Sequence, residues 1–152
     1  MGFYSQKYRV KMKKINIFVI FLCIFIGKSF SQTIDFTVKI SNVVINGGKV
    51  YLRVFSNAGG FSREEPYISF ELEDTNAVLS QNISLIYGEY VIAAFQDSNG
   101  NGVVDYGLFG VPKELVGVSN YFGRGIPSKT FDRQKVFINS TTRIINIGLY
   151  KF

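Results

Sequence analysis

The chain has 152 residues, 47% of them hydrophobic, with 17 Lys and Arg against 11 Asp and Glu, one cysteine and no histidine. That length suits one domain, and without imidazoles the usual zinc, copper and acid–base chemistries lose their commonest ligand and base. The formal charge of +6 would favour a nucleic-acid or anionic-membrane partner only if the charges lay in the folded part.

They do not. Six of the 17 basic residues fall within positions 1–31, while all 11 acidic residues follow, leaving 11 against 11 in the remainder. Residues 1–31 have the form of a signal peptide: Lys7, Arg9, Lys11, Lys13 and Lys14, then an apolar run from Ile15 to Ile26, then Ser29-Phe30-Ser31 at a cleavage spacing. Met12 followed by Lys13 and Lys14 makes an alternative start. The run is shorter than the ~18 apolar residues of a membrane span. An exported protein is therefore expected, periplasmic, on the outer surface or extracellular, with no membrane span in its mature form and no nucleic-acid partner. Cys23 leaves with the leader, and residues 32–152 form a single domain without thiol chemistry.

Ile34, Phe36, Val38 and Ile40 alternate with polar residues, the period of a half-buried strand. Asn46-Gly47-Gly48 then turns the chain, and Val50, Leu52 and Val54 form a second strand expected to pair with the first as a hairpin. Further strands are expected over Tyr67–Leu72, Gln81–Ile86 and Tyr90–Phe95, the last apolar enough to be central. Residues 97–131 show no sustained period and repeat glycine at 100, 102, 107, 110, 117, 123 and 125. Strands over Lys135–Asn139 and Arg143–Tyr150 close the chain. Seven short antiparallel strands without an amphipathic helix of ordinary length predict an all-β sandwich with one long glycine-rich loop.

The strand ending at Phe95 delivers the chain to Asp97-Ser98-Asn99-Gly100-Asn101-Gly102-Val103-Val104-Asp105. Side-chain oxygens at relative positions 1, 3, 5 and 9, glycine at 6 and a usable carbonyl at 7 follow the first nine places of a calcium loop. Position 12, which would hold a bidentate glutamate, is Leu108, so Glu114 is the candidate to close the shell. The expected ligands are Asp97, Asn99, Asn101, the Val103 carbonyl, Asp105 and Glu114. A calcium site with so few carboxylates is expected to be weak, with Kd of about 10⁻⁴ to 10⁻³ M. Turn chemistry alone also accounts for Asn-Gly-Asn-Gly, and it leaves the flanking aspartates without a purpose.

Gly88-Glu89-Tyr90, the Asp97–Asp105 segment, Phe109-Gly110-Val111-Pro112-Lys113-Glu114 and Gly117-Val118-Ser119-Asn120 together resemble a secreted bacterial family catalogued as domain of unknown function 2141. The resemblance spans nearly all of residues 32–152 and takes in Val54-Phe55 and Phe131-Asp132. It implies an immunoglobulin-like or transthyretin-like sandwich and no biochemical activity. Gln96 stands where that family more often has a histidine, so any chemistry of such a histidine is not available here.

Two further readings use the same loop. Asp105 with Glu114 would form the carboxylate pair of a small hydrolase. Tyr87, Tyr90, Tyr106, Phe109, Tyr121 and Phe122 would line a glycan- or peptide-binding surface, although core packing explains them equally well. Arg124 and Lys129 read as solvated loop charges. The leading expectation is a monomeric, non-enzymatic sandwich whose calcium-ordered loop meets an unidentified protein or glycan; a metal-free structural sandwich is the third.

Overall fold

The computed structural model describes residues 32–152, so the expected leader lies outside the described residues. Among the described residues the chain forms eight strands: β1 (Thr33–Ser41), β2 (Val50–Phe55), β3 (Ile68–Leu72), β4 (Val78–Ile86), β5 (Gly88–Gln96), β6 (Leu115–Val118), β7 (Val136–Ile138) and β8 (Ile144–Gly148). Two short helices accompany them, α1 (Ala58–Ser62) and α2 (Phe131–Gln134). No described helix is long and apolar enough to cross a membrane.

One sheet has the order β4-β1-β8, and the other runs β3-β2-β5-β6 with β7 also on β5. The expected β1–β2 hairpin does not form: β1 pairs with β4 and β8, whereas β2 pairs with β3 and β5. Alternation explains the outcome. Ile34, Phe36, Val38 and Ile40 bury one face of β1, Val50, Leu52 and Val54 bury one face of β2, and both rows enter the same core. Strands facing each other across a sandwich bury more apolar area than the same two strands side by side, so the 42–49 link crosses between layers.

Two other expectations change. The β1–β8 pair is parallel, so the sandwich is not wholly antiparallel. The strand count rises from seven to eight because β6 forms inside the glycine-rich stretch, with Ala94 opposite Gly117. A Cβ on Gly117 would stand 2.2 Å from the Gly148 carbonyl oxygen, so glycine there lets the neighbouring chain approach.

A second, smaller cluster lies outside the sandwich core. Phe55, Val91, Val118 and Phe131 are buried together, with Phe61, Ala93 and Tyr121 packed on them. The outer face of the β2-β5-β6 sheet is thus roofed by α1, α2 and loops instead of facing water.

Candidate functional site

The loop begins where β5 is anchored most firmly. Gln96 is buried, its Oε1 accepts from the Val44 amide at 3.0 Å, and its Nε2 donates to the Val44 and Gly48 carbonyls at 2.6 and 3.0 Å. The Asp97 amide donates to the Lys49 carbonyl at 2.8 Å. Gly48 has φ of +106°, and a Cβ there would stand 1.9 Å from the Asp97 carbonyl oxygen. The layer-crossing link is therefore stapled to the end of β5, and Gln96 holds the staple.

Asp97 is 2% exposed, and its carboxylate collects the amides of the loop it opens. Oδ1 accepts from Gly100 at 2.8 Å and from Asn99 and Asn101 at 3.3 Å each, while Oδ2 accepts from Gly102 at 2.6 Å. Burial pushes this acid up, but the Gly102, Gly100, Asn101 and Asn99 amides together outweigh it and hold Asp97 below the ordinary aspartate range.

The other three predicted side chains gather at the rim. Asn99 and Asn101 are exposed and Asp105 half-buried. Asp105 Oδ2 accepts from Asn99 Nδ2 at 2.6 Å and Asn101 Nδ2 at 3.1 Å. Asn99 Oδ1 accepts from the Asn101 amide at 3.2 Å, and Asn101 Oδ1 from the Val103 amide at 3.0 Å. These are successive Asx turns, each satisfying an amide two residues on.

Glu114, the candidate for the ligand that Leu108 cannot supply, returns to the loop by a route the sequence did not reveal. Residues 105–113 fold back on themselves: Lys113 donates to the Asp105 carbonyl, Gly107 to that of Val111, both at 2.8 Å, and Tyr106 bridges Pro112. A single 3-10 turn, Leu108–Gly110, forms the tip, with Phe109 at φ 63°. Glu114, 3% exposed, then reaches under the loop, where Oε1 accepts from Ser98 at 3.1 Å and Oε2 from Asp105 at 3.3 Å. It clamps the two ends of the loop together.

The structure thus brings all six predicted residues into one loop system, in two levels: Asp97 and Glu114 buried at the root, Asn99, Asn101, Val103 and Asp105 at the rim. Among the described residues no three His, Cys, Asp or Glu side chains gather closely enough to hold a metal by themselves.

The aromatic residues do not converge on one surface. Tyr90 is part of the sandwich core and Tyr121 packs on the outer cluster, while Tyr87 stands against Phe137 just before β5 begins, at the strand end opposite Asp97. Phe109 and Phe122 are 98% and 84% exposed. Only Tyr106 meets the predicted loop and a neighbouring wall, donating to Glu64 Oε1 at 2.9 Å. Burial, then the bond to Glu64, pushes its hydroxyl well above the usual tyrosine range, so it remains a donor. Lys129, exposed as expected, sits with Nζ 3.8 Å from the Tyr106 ring centroid.

Sequence reasoning missed Arg53. It projects from the outer face of β2 between Tyr51 and Phe55, lies 4.7 Å over the Phe95 ring, and donates from Nη2 to the Gly102 carbonyl at 2.7 Å. An arginine alternating with two aromatics on the nominally wet face of a strand was the available signal.

Fold and loop together define a two-sheet β-sandwich carrying an Asp-Asn-Gly loop at the end of a central strand. Within that class the chain belongs to the family of uncharacterised proteins conserved in bacteria, DUF2141, whose model matches residues 38–146. No curated protein and no solved structure matches the chain.

Proposed function

We propose that this chain is an exported, non-enzymatic binding protein in which calcium closes the rim of the 97–105 loop and so fixes an interaction surface. The observation that carries the reading is the convergence of Asn99, Asn101 and Asp105 on one exposed point, with Asp105 Oδ2 as the meeting atom. A cation there would replace two amide hydrogens on an otherwise uncompensated carboxylate. The Asn99 and Asn101 carbonyl oxygens each accept one bond and keep a second lone pair, and Asp97 Oδ2 accepts only from Gly102. With the Val103 carbonyl this gives an all-oxygen set, the chemistry calcium prefers over softer metals. Glu114 braces the loop ends and would complete the shell only by releasing one of its two amides.

The non-enzymatic part is supported by the same geometry. Both oxygens of Glu114 are engaged by backbone amides, one of them that of Asp105, so Glu114 is committed to bracing the loop and is not free to serve as an acid or base opposite Asp105. Export rests on the leader pattern before residue 32. The finer assignment of the sandwich as immunoglobulin-like or transthyretin-like rests on the family resemblance.

The test is calcium titration followed by thermal melting. A ligand that binds only the folded state at Kd of about 0.1 mM adds ~1.8 kcal/mol at about 2 mM, several degrees for a domain of this size. Asp105→Asn should melt like the parent without calcium and lose the shift. An unchanged parent melting point would leave the loop as a self-capped structural turn.

A further inference from the structure

Beside the loop, the outer face of the β2-β5-β6 sheet holds a cavity of about 220 Å³. Its apolar lining includes Phe55, Phe61, Ala93, Phe95 and Val118, and residues 126–129 and the 104–112 hairpin also border it. Register explains the space: Arg53 stands opposite Ala93 between β2 and β5, and Ala93 opposite Val118 between β5 and β6. The smallest side chain on that face lies between Phe95 and Val91, two residues to either side on β5, so the roof cannot close on the sheet at this point. A cavity of about 150 Å³ takes a benzene ring, so this one has room for a ring with a short substituent or for a branched chain.

Its polar groups are few and unbalanced. Arg53, Lys129 and Glu64 line it, two cations and one anion. Glu64 is engaged by the Tyr106 hydroxyl, and among the described residues neither Arg53 nor Lys129 has a carboxylate within ion-pair distance. Arg53 uses Nη2 on the Gly102 carbonyl, but its Nε is buried with no acceptor. Arg53 is half-buried and, among the described residues, its charge has no counter-ion, and a carboxylate is the planar acceptor that fits a guanidinium. The excess of one positive charge matches a monoanion better than a phosphate dianion.

We propose that this cavity binds a small monocarboxylic acid with an aromatic or branched apolar body, the body on the Phe55–Ala93–Phe95 floor and the carboxylate on Arg53 near Lys129. The site needs the loop wall in its present place but no metal, so it stands or falls separately from the calcium reading.

The experiment is calorimetric titration in EDTA of the purified protein with 3-phenylpropionate and with 3-phenylpropan-1-ol, which share a body and differ in charge. The acid should bind at least about tenfold more tightly than the alcohol, as a charge-assisted bond implies. Ala93→Leu, which fills the floor and leaves the charges in place, should abolish binding of both, with folding checked by melting. Arg53→Met should erase the preference for the acid. Absent binding of the acid, equal binding of acid and alcohol, or undiminished binding to folded Ala93→Leu would overturn the proposal. Should Arg53→Met fail to fold, the ligand pair on the parent and the Ala93→Leu variant decide it.

Discussion

Asp97 and Asp105 begin and end one nine-residue segment, yet their surroundings are opposite. Asp97 is buried and takes four backbone amides, whereas Asp105 is half-buried and its side chain takes two asparagine side-chain amides at an exposed rim. Backbone amides are fixed by the path of the loop, so their acceptor is part of the fold. Side-chain amides can rotate away, so their acceptor is free to exchange them for something else. Within a single motif, burial and donor type separate the residue that builds the loop from the residue that can use it.

The sharpest way to break that contrast is to remove each carboxylate in turn. Asp97→Ala leaves four amides without their acceptor and should cost about 3 kcal/mol in urea unfolding, because bonds to a buried charge are among the stronger ones. Glu114→Gln keeps one acceptor oxygen but turns its NH2 towards the other amide, leaving that donor unsatisfied, and should cost about 2 kcal/mol by the same assay. Asp105→Asn, measured without calcium, should cost less than about 0.5 kcal/mol. If Asp105→Asn proved as damaging as Asp97→Ala, the division into root and rim would be wrong.

Acid sharpens the same comparison. Asp97 titrates below the ordinary aspartate value in the folded state, so its contribution is complete above the unfolded pKa and is lost as pH falls through the folded one. Stability should therefore drop below about pH 4, and Asp97→Asn should flatten the drop. A small effect of opposite sign is expected at the hairpin tip, where Phe109 is exposed with φ 63°. Phe109→Gly relieves a left-handed conformation at the expense of unfolded-chain entropy, for a net gain of about 0.5 kcal/mol in melting experiments.

Much of this was legible in the residues. Alternation in Ile34–Ile40 and Val50–Val54 marked the strands and their buried faces, but alternation says which face is covered and not by which neighbour, so the layer crossing at residues 42–49 read as a hairpin. The parallel β1–β8 pairing joins residues more than a hundred apart and leaves no local trace. Leu115–Val118 has four residues and a glycine that only the approach of Gly148 explains. At the site, the residues singled out by spacing are gathered in one loop system, and Arg53, which bonds that loop, was missed. Spacing could not rank the loop residues, because whether a carboxylate faces fixed amides or mobile ones depends on the folded path.

The most direct test of the root-and-rim account uses terbium in place of calcium. Tyr51 lies beside the loop, its hydroxyl 3.8 Å from where a Cβ on Gly102 would sit, close enough to sensitise a lanthanide bound at the rim. Excitation of tyrosine should produce terbium emission that calcium displaces and that Asp105→Asn abolishes while the variant stays folded. Absence of emission from the parent, or emission that survives Asp105→Asn unchanged, would contradict the claim that the rim of this loop binds a metal ion.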